Sequence, residues 1–395
     1  MKKRDESSYL EEGGRKLLPK KHQKSPPFFL FQPQIDVRGN ELKNGGNDKK
    51  FRIQIEGETK NENNRMIEDN EWEIVDLNNG KYQVKMKLKD EGKYFVFVQC
   101  DGVDINSSPF QIQVLPKQRN YNEINLPNLV FGSEGNRNGQ FQGPLGICVD
   151  WNDGLYVCDF KNNRIQIFNS EGKFISTFGA QGKGGGQLSS PFGIAINSKG
   201  NILVSDNNNN RIQTFDLEGR FLSTFGSEGK GNGQFKHPDG ICVDLNDNIY
   251  VCDYSNNRIQ IFDSKGVFIS TFGSKGSGCG QFQGPWGIAS NSRGNILVSD
   301  NGNHRIQIFD SKGKFISTFG SDGNDIGQFS YPRGICVDLN DNILVCDYSN
   351  HRVQIFGLIG EYITQFKVNY PTDIAIEPKT QNTIVCGFNN KILIF

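Results

Sequence analysis

The sequence predicts an all-β fold built from tandem units of four short strands, and three observations lead to this prediction. Glycine accounts for 46 and phenylalanine for 30 of the 395 residues, a combination typical of tight turns that join short apolar strands. A Phe-Gly dipeptide recurs every 47 residues from Phe131 to Phe319. Each interval holds four runs rich in β-branched or aromatic residues and bounded by Gly, Asn, Asp or Ser, which is the pattern of strands.

Four short strands in about 47 residues are typical of one blade of a β-propeller. In the third of these runs, alternation places Ile259 and Ile261 on one face and Gln260 on the other. We expect such faces to pack between neighbouring blades and form the core. One full unit reads Pro238-Asp-Gly-Ile-Cys-Val-Asp, Asn248-Ile-Tyr-Val-Cys-Asp, Arg258-Ile-Gln-Ile-Phe-Asp and Val267-Phe-Ile-Ser-Thr-Phe-Gly.

The last unit predicts the number of blades. It supplies three runs, beginning at Pro371, Asn382 and Lys391, and lacks the fourth. A spare run, Leu129-Val-Phe-Gly, precedes the first unit. We predict that this segment completes the last blade, closes a ring of six blades and removes the exposed sheet edge.

The cysteines follow a finer pattern within the repeat. Units one, three and five carry Ile-Cys-Val-Asp and Val-Cys-Asp, whereas units two and four carry Ala and Ser at these positions, so the closer match recurs at 94 residues. Because Cys exchanges with Ala and Ser, we interpret it as filling a small buried space and not as a redox centre. The absence of any C-x-x-C pair argues against structural zinc.

Charge and targeting signals narrow the class of protein further. The 44 Lys and Arg balance 44 Asp and Glu, and the part from Tyr121 onward holds 22 against 25. This balance argues against binding of nucleic acid through bulk basicity but is compatible with a local basic patch. No apolar run approaches the ~20 residues of a membrane span, and the N-terminus lacks a secretory signal. We therefore expect a soluble protein of the cytoplasm with free thiols.

The units resemble the NHL repeat, whose signature reads Asp…Asn-x-Arg-Ile-Gln-x-Phe. The sequence carries it as Asp253-Tyr-Ser-Asn-Asn-Arg258-Ile-Gln-Ile-Phe and as Asp300-Asn-Gly-Asn-His-Arg305-Ile-Gln-Ile-Phe. The resemblance covers residues 122–395 and implies a six-bladed propeller.

The preceding segment, residues 28–116, resembles a filamin-type immunoglobulin-like repeat, which implies a β-sandwich. The residues that carry this resemblance are Asn79-Gly-Lys-Tyr-Gln-Val, Glu91-Gly-Lys-Tyr-Phe-Val-Phe-Val and Ser107-Ser-Pro-Phe-Gln-Ile-Gln-Val. Residues 1–27 hold eight Lys and Arg with little that could form a core, so we predict a disordered tail.

A filamin repeat followed by an NHL propeller is similar to the C-terminal half of tripartite-motif (TRIM-NHL) proteins. That resemblance implies binding of RNA or protein, and it implies the ubiquitin pathway because such proteins carry RING and B-box zinc modules. Before the propeller, however, this chain has only Cys100 and His22 as candidate zinc ligands. Ligase activity of this chain alone is therefore not expected, and a RING-type ligase partner is the alternative.

The repeated polar residues are interpreted as structural. An Asp–Arg pair present in five units, such as Asp253 and Arg258, is expected to brace the hairpin between second and third strands. The Gly-rich links resemble phosphate-binding loops, but they recur in every unit and do not lead from a strand into a helix. We interpret them as blade connectors anchored by their Gln-Phe.

Function is expected where the blades differ. The position between Pro and Gly at the start of each innermost strand should ring the mouth of the central channel, together with residues of nearby loops. Aromatic side chains interleaved with Lys and Arg suit stacked bases of single-stranded RNA and equally a peptide hot spot. The candidate ligand-binding residues are Phe160, Lys161, Phe192, Lys236, His237, Trp286, Tyr331 and Arg333.

The sequence therefore predicts a non-enzymatic scaffold that binds a protein or RNA on one rim of the propeller. Two alternatives remain open, a post-transcriptional regulator that binds RNA and a substrate-recognition component of a ubiquitin-ligase assembly. No cofactor, metal, membrane or DNA partner is expected. Some NHL-like propellers are metal-dependent lyases, but the three propeller histidines are too few for that site, since His304 and His351 occupy the repeat's own Asn-His-Arg slot.

Overall fold

The structure, a computed structural model, describes two parts of the chain differently. Backbone and side chains are described for Tyr121, Ile124 and residues 126–395. Before residue 121 only the backbone of eight strands is described, and the predicted tail of residues 1–27 lies outside the described residues. The eight strands are Ile35–Val37, Phe51–Thr59, Glu62–Met66, Glu71–Asp76, Tyr82–Lys87, Gly92–Cys100, Val103–Asp104 and Phe110–Val114.

These eight strands form two antiparallel sheets. In the first, Tyr82–Lys87 lies between Ile35–Val37 and Glu71–Asp76. In the second, Phe51–Thr59 pairs along its whole length with Gly92–Cys100, and the remaining strands pair with these two. Antiparallel pairing of this kind is what the predicted immunoglobulin-like segment requires.

The remainder of the chain forms six four-stranded antiparallel sheets, the blades of a propeller. Blades 1 and 2 comprise Pro144–Val149, Leu155–Asp159, Arg164–Phe168, Phe174–Phe178 and Pro191–Ile196, Ile202–Asp206, Arg211–Phe215, Phe221–Phe225. Blades 3 and 4 comprise Pro238–Val243, Ile249–Asp253, Arg258–Phe262, Phe268–Phe272 and Pro285–Ser290, Ile296–Asp300, Arg305–Phe309, Phe315–Phe319. Blades 5 and 6 comprise Pro332–Val337, Ile343–Asp347, Arg352–Phe356, Tyr362–Lys367 and Pro371–Ile376, Thr383–Gly387, Lys391–Ile394, Leu129–Phe131.

Short elements join these strands. A single 3₁₀ turn follows the second strand of each of blades 1 to 5 and ends at a residue in the left-handed conformation. A pair of two-residue parallel strands, Ser227–Glu228 and Gln234–Phe235, forms in the link into blade 3. The turns are Phe160–Asn162, Asn207–Asn209, Tyr254–Asn256, Asn301–Asn303 and Tyr348–Asn350.

The ring closes as the sequence predicted. Leu129–Phe131 pairs with Lys391–Ile394, with Val130 opposite Leu393. The N–H of Asn128 also donates to the carbonyl of Ile394 at 2.7 Å. The prediction of six blades is therefore confirmed, and the innermost strand of blade 6 has neighbours on both sides.

The core lies between the blades. Six clusters of buried apolar side chains occur, one at each contact between neighbouring blades. The phenylalanine of each Gln-Phe link, such as Phe282, is fully buried against the phenylalanine that ends the third strand of the blade it leads into, such as Phe309, at 5.5 Å between ring centroids. The linker residue Tyr121 joins the cluster between blades 5 and 6, and its hydroxyl donates to Asp338.

The Asp–Arg pair of each unit does more than brace one hairpin. In blade 3, Nε of Arg258 donates to Asp253 at 2.7 Å, as the sequence predicted. The Arg258 Nη2 atom also donates to the carbonyls of Gly231 and Gln234 in the preceding link. The other carboxylate oxygen of Asp253 accepts the N–H of Lys236 at 2.7 Å. The ion pair thus holds the link between blades as well as the hairpin.

The glutamine of the third strand completes this network. Gln260 is fully buried, so both faces of the strand lie in the interior, although only one of them is apolar. Its amide donates to the carbonyl of Gln234 at 2.7 Å and accepts the N–H of Gly233 at 2.9 Å. The same contacts recur in blades 1, 2, 4 and 5, and we call this Asp–Arg–Gln network the latch.

Removing the carboxylate of one latch tests how much the latch contributes to the stability of the fold. Asp253→Ala leaves the guanidinium of Arg258 largely buried beside it without its charge partner, and unpaired buried charges of this kind cost about 3–5 kcal/mol. We expect the free energy of unfolding in urea to fall by about that amount. Glu228→Ala, which removes an exposed carboxylate from the same link, should change it by less than about 0.5 kcal/mol. If the two substitutions change the free energy of unfolding equally, the latch does not stabilise the fold as proposed.

Blades 2 and 4 have serine where blades 1, 3 and 5 have a buried cysteine. Exchanging the two residues tests whether the cysteine only fills a small buried space. Ser299 is fully buried, and its hydroxyl has no hydrogen-bond partner. The equivalent Cys252 of blade 3 is also fully buried, but its thiol is only a weak hydrogen-bond donor, so it costs little without a partner. Ser299→Cys should raise the free energy of unfolding by about 1 kcal/mol because it removes an unsatisfied hydroxyl. Cys252→Ser should lower it by a similar amount. A loss of stability in both variants would show that the space in blade 4 is too small for sulfur.

Candidate ligand-binding rim

The connections between strands lie on two opposite rims of the ring. Because the strands of a blade are antiparallel, the links between blades and the turns from second to third strands share one rim, which we call the upper rim. The turns from first to second and from third to fourth strands form the lower rim. The upper rim comprises residues 132–143, 179–190, 226–237, 273–284, 320–331 and 368–370, with turns 160–163, 207–210, 254–257, 301–304, 348–351 and 388–390.

The two rims differ in charge. The loops of the upper rim carry six cationic and four acidic side chains, whereas those of the lower rim carry eight cationic and 13 acidic ones. All six upper cations lie in blade 1's turn or in the links into blades 1 to 4, and the link into blade 5 carries Asp322 and Asp325. The six cations are Arg137, Lys161, Lys183, Lys230, Lys236 and Lys275.

The innermost strands surround a narrow central channel, where a cavity of about 90 Å³ remains. A glycine of each of the first five blades faces the neighbouring strand closely; a β-carbon at Gly240 would clash with the carbonyl of Trp286, and one at Gly287 with that of Arg333. These glycines are therefore required by close packing of backbones. Blade 6 has Asp373 at this position instead.

Asp373 is the carboxylate of the channel wall. Its Oδ2 atom accepts the N–H of Ile147 at 2.9 Å, across the contact between blades 6 and 1. Desolvation by the surrounding strands raises the pKa of Asp373 to about 7, although the N–H groups of Ile147 and Ile374 oppose the shift. The channel can therefore change charge near neutral pH.

The six positions predicted to ring the channel mouth do lie there, but most of them are buried. Leu145, Asp239 and Thr372 are almost inaccessible, and the ring of Phe192 is only 8% exposed. Trp286 and Arg333 are partly exposed. Phe192 therefore has little surface left for a ligand, and its role is to support Trp286, whose ring centroid lies 4.8 Å away.

Arg333 lies between two aromatic rings at the mouth. Its guanidinium carbon is 4.4 Å from the ring centroid of Trp286 and 3.3 Å from that of Tyr348. Burial lowers the pKa of Arg333, whereas Tyr348 and Asp239 oppose this shift, and its Nε has no hydrogen-bond partner. Burial also raises the pKa of Asp239, against the amide of Asn207 and the charge of Arg333. The cation is thus held by stacking and by a nearby buried acid.

Further aromatic rings continue this stack around the mouth. On one side, Phe160 contacts Phe192 edge to face at 6.1 Å, and Tyr254 contacts Trp286 at 5.9 Å. On the other side, Tyr348 contacts Tyr370 at 5.5 Å and Phe388 at 6.5 Å. Lys161 lies 5.8 Å above Phe388 and returns to blade 1, which also carries Phe160. We call this closed series of groups the aromatic belt.

Of the other predicted residues, Lys161 belongs to the belt, and Lys236, His237 and Tyr331 lie elsewhere on the upper rim; all four are exposed. The structure adds two exposed aromatic residues of blade 6 that the sequence analysis did not select, Tyr370 and Phe388. Tyr370 was missed because the link into blade 6 is shortened, although it directly precedes a strand-opening proline as Tyr331 does.

Family models match both parts of the chain. The NHL repeat model matches residues 235–262, 282–309 and 329–356, and a model described as a 6-bladed beta-propeller matches residues 142–228. The Filamin/ABP280 repeat model matches residues 32–111. The chain therefore carries NHL repeats and a filamin repeat, which confirms the resemblances seen in the sequence.

Curated relatives match over short segments. A segment of 102 residues is 40% identical to E3 ubiquitin-protein ligase TRIM71 of Bos taurus and covers 26% of this chain and 12% of that protein. A segment of 88 residues is 41% identical to Protein lin-41 of Caenorhabditis elegans and covers 22% of this chain and 8% of that protein. The chain thus matches only a small part of each relative's length.

Solved structures support the fold. A protein of unknown function from Bacteroides thetaiotaomicron superposes with a TM-score of 0.54 at 14% identity over 87% of this chain and 90% of that one. A gluconolactonase from Xanthomonas campestris superposes with a TM-score of 0.51 at 14% identity over 65% of this chain and 88% of that one. At this identity the likeness concerns the fold alone.

Within residues 126–395, no three His, Cys, Asp or Glu side chains are grouped so that they could hold a metal ion. No helix in the described part of the chain has the length and apolar character of a membrane span.

Asp373 predicts how stability depends on pH. Its pKa of about 7 exceeds the value of about 3.9 in the unfolded chain, so the folded state binds this proton more tightly. The group therefore stabilises the fold at low pH, and that contribution is lost as the pH rises from about 4 to about 7. Asp373→Asn keeps an acceptor for Ile147 and should be more stable than the parent at pH 8, on the order of 4 kcal/mol.

The measurement is urea unfolding of parent and variant at a series of pH values. The difference in the free energy of unfolding between variant and parent should be constant above pH 7 and should shrink as the pH falls below 7. Asp263→Asn, in an exposed turn of the lower rim, is the control. If the difference in the free energy of unfolding grows toward low pH, desolvation does not raise the pKa of Asp373.

Proposed function

We propose that this protein is a non-enzymatic interaction module that binds a macromolecule on the upper rim of its propeller, and that single-stranded RNA is the ligand class which fits this rim best. The observation that carries the proposal is the stack of Trp286, Arg333 and Tyr348 at the channel mouth, set within the aromatic belt. The scaffold recurs from blade to blade, but this stack, between blades 4 and 5, occurs once in the described propeller, as expected of a ligand site.

Stacking is the chemistry that suits unpaired bases. Aromatic side chains and the plane of an arginine both pack against the faces of bases, irrespective of their sequence. The belt includes the exposed ammonium group of Lys161, and Lys236 is exposed on the same rim. Both cations suit the phosphates of a strand. A combination of base faces and phosphates distinguishes a nucleic acid from most peptides.

The distribution of charge also favours the upper rim as the site of RNA binding. The upper rim is the less acidic of the two, and its cations cluster over blades 1 to 4. The zero net charge of the whole chain therefore does not oppose binding, because the acidic excess lies on the lower rim and screening confines each charge to about 10 Å. A local patch is sufficient for a short single strand.

A protein ligand is the alternative on the same surface. Trp, Tyr and Arg are the residues that dominate hot spots of protein interfaces, so the stack would also bind a peptide. The relatives named as E3 ubiquitin-protein ligases favour a second candidate, in which the propeller recognises substrates for a ligase. That function requires a RING-containing partner, and co-purification with such a partner is its test.

The RNA proposal predicts a salt-dependent affinity that resides on the upper rim. Trp286→Ala and Arg333→Ala should each weaken binding of a fluorescent oligouridine of about eight nucleotides roughly tenfold, because one stacked base contributes about 1–3 kcal/mol. The measurement is fluorescence anisotropy at several salt concentrations. Thermal unfolding of each variant shows that the propeller remains folded.

A matched pair of lysines provides the control. Lys236→Ala, on the upper rim, should reduce the salt dependence of binding, because one phosphate contact is lost. Lys265→Ala, on the lower rim, should leave affinity unchanged. If the parent protein binds no RNA at low salt but retains a protein partner through Trp286, the ligand is a protein.

A further inference from the structure

The residue before the opening proline of each blade has a positive φ angle. The value is +64° at Gly143 and Gly284, which lead into blades 1 and 4, and the other four links use residues with side chains. Two of these are the tyrosines Tyr331, at +53°, and Tyr370, at +48°. The other two are Ser190 and His237, at +56° and +54°.

A tyrosine at this position is conformationally unfavourable. The left-handed region brings Cβ against the backbone and is rare for bulky residues, and a following proline restricts the residue further. Gly143 and Gly284 show that the same link forms with glycine. The fold therefore does not require a tyrosine at residues 331 and 370, and strain of this kind concentrates at functional sites.

Both tyrosines are held in place by their backbone and by the ring of a neighbouring histidine, and Tyr370 also contacts Tyr348. The N–H of Tyr331 donates to Nδ1 of His304, and the N–H of Tyr370 donates to Nδ1 of His351, each at 3.2 Å. The ring centroids of the two pairs lie 4.6 Å and 4.0 Å apart. Even so, Tyr331 is 49% and Tyr370 45% exposed, so a large part of each side chain faces solvent.

Both tyrosines lie near the Arg333 stack, Tyr331 along the chain and Tyr370 by contact. Tyr331 is separated from Arg333 by one proline in the chain, and Tyr370 contacts Tyr348, which covers one face of the Arg333 guanidinium. Tyr370 thus continues the aromatic belt at blade 6, and Tyr331 lies exposed on the same rim in the link into blade 5. The link that contains Tyr331 also carries Asp322 and Asp325, which repel phosphate, so this sector suits base faces and not the backbone of a nucleic acid.

We propose that Tyr331 and Tyr370 are two stacking platforms for unpaired bases of a single RNA strand, held in strained backbone conformations for that purpose. This inference rests on the RNA-binding function proposed above. The phosphates of the strand then follow the cationic links at blades 1 to 4, while bases splay onto the two tyrosines. The tyrosines contribute affinity that does not depend on salt.

The first measurement separates strain from packing in the absence of RNA. Tyr331→Gly and Tyr370→Gly should unfold at a higher temperature than Tyr331→Ala and Tyr370→Ala, and at least as high as the parent, because glycine relieves the positive φ. Ser190→Gly is the matched control for relief of strain where no ring is lost. Glycine variants clearly less stable than the parent would show that the tyrosines serve the fold, and would overturn the proposal.

The second measurement concerns binding of the same oligouridine. Each glycine variant should lose roughly tenfold in affinity, the loss of one stacked base, with the slope of affinity against salt unchanged. Tyr331→Phe and Tyr370→Phe should retain affinity, since stacking needs the ring and not the hydroxyl. Ser190→Gly should bind as the parent does. Photocross-linking of 4-thiouridine-substituted RNA should label peptides that contain Tyr331 and Tyr370.

The outcomes distinguish this inference from the proposed function. If the parent protein binds no oligouridine, the RNA-binding function fails and the platforms fail with it. If the parent binds, Trp286→Ala weakens binding and both glycine variants bind as the parent does, only the platform inference is overturned. If a glycine variant loses affinity and its affinity also depends less on salt, Tyr331 or Tyr370 contacts a phosphate. That result would also contradict the proposed stacking platforms.

Discussion

The buried latch is the interaction on which the rest of the propeller depends. In five blades a fully buried aspartate accepts from an arginine of its own hairpin and from a backbone N–H of the preceding link, as Asp253 does from Arg258 and Lys236. The cost of burying the carboxylate is offset because it also accepts from the side chains of Asn256 and Gln260. The latch therefore does not only stabilise a hairpin; it also holds the links into blades 1 to 5, which form much of the upper rim.

Blade 6 shows what replaces the latch where it is absent. Gly387, Lys391 and Leu393 stand where the other blades have Asp, Arg and Gln. The Lys391 ammonium donates to the carbonyl of Gly132, and strand pairing with Leu129–Phe131 closes the ring. The link into this blade is short, and Tyr370 at its end lies over His351 as Tyr331 lies over His304. The blade without a latch thus supplies exposed aromatic residues to the belt, and its Asp373 supplies the ionisable group of the channel.

Repetition of the scaffold separates stability from recognition. The interior glutamines and latch residues recur in five blades and the link phenylalanine in four of them, with Leu188 in its place in the link into blade 2, so no single one of them can select a ligand. The channel mouth differs from blade to blade, and there the stack of Arg333 between Trp286 and Tyr348 is fixed before any ligand arrives. A rigid cation between aromatic rings loses little conformational freedom on binding. The charge difference between the rims is invisible in a net charge of zero.

The sequence by itself determined the strands, the number of blades, the closing segment and the Asp–Arg pairs, because a strict repeat makes each unit obey the same local rules of strand pattern and turn chemistry. It also selected two of the three groups of the stack, since Trp286 and Arg333 depart from the repeat, but it did not select Tyr348, whose position repeats that of Tyr254. Only the tertiary structure decided that Phe192 supports Trp286, that Gln260 is buried with the latch, and that Tyr370 and Phe388 belong to the belt. The exposure of a rim side chain depends on contacts between blades distant in the chain, and no local pattern encodes those contacts.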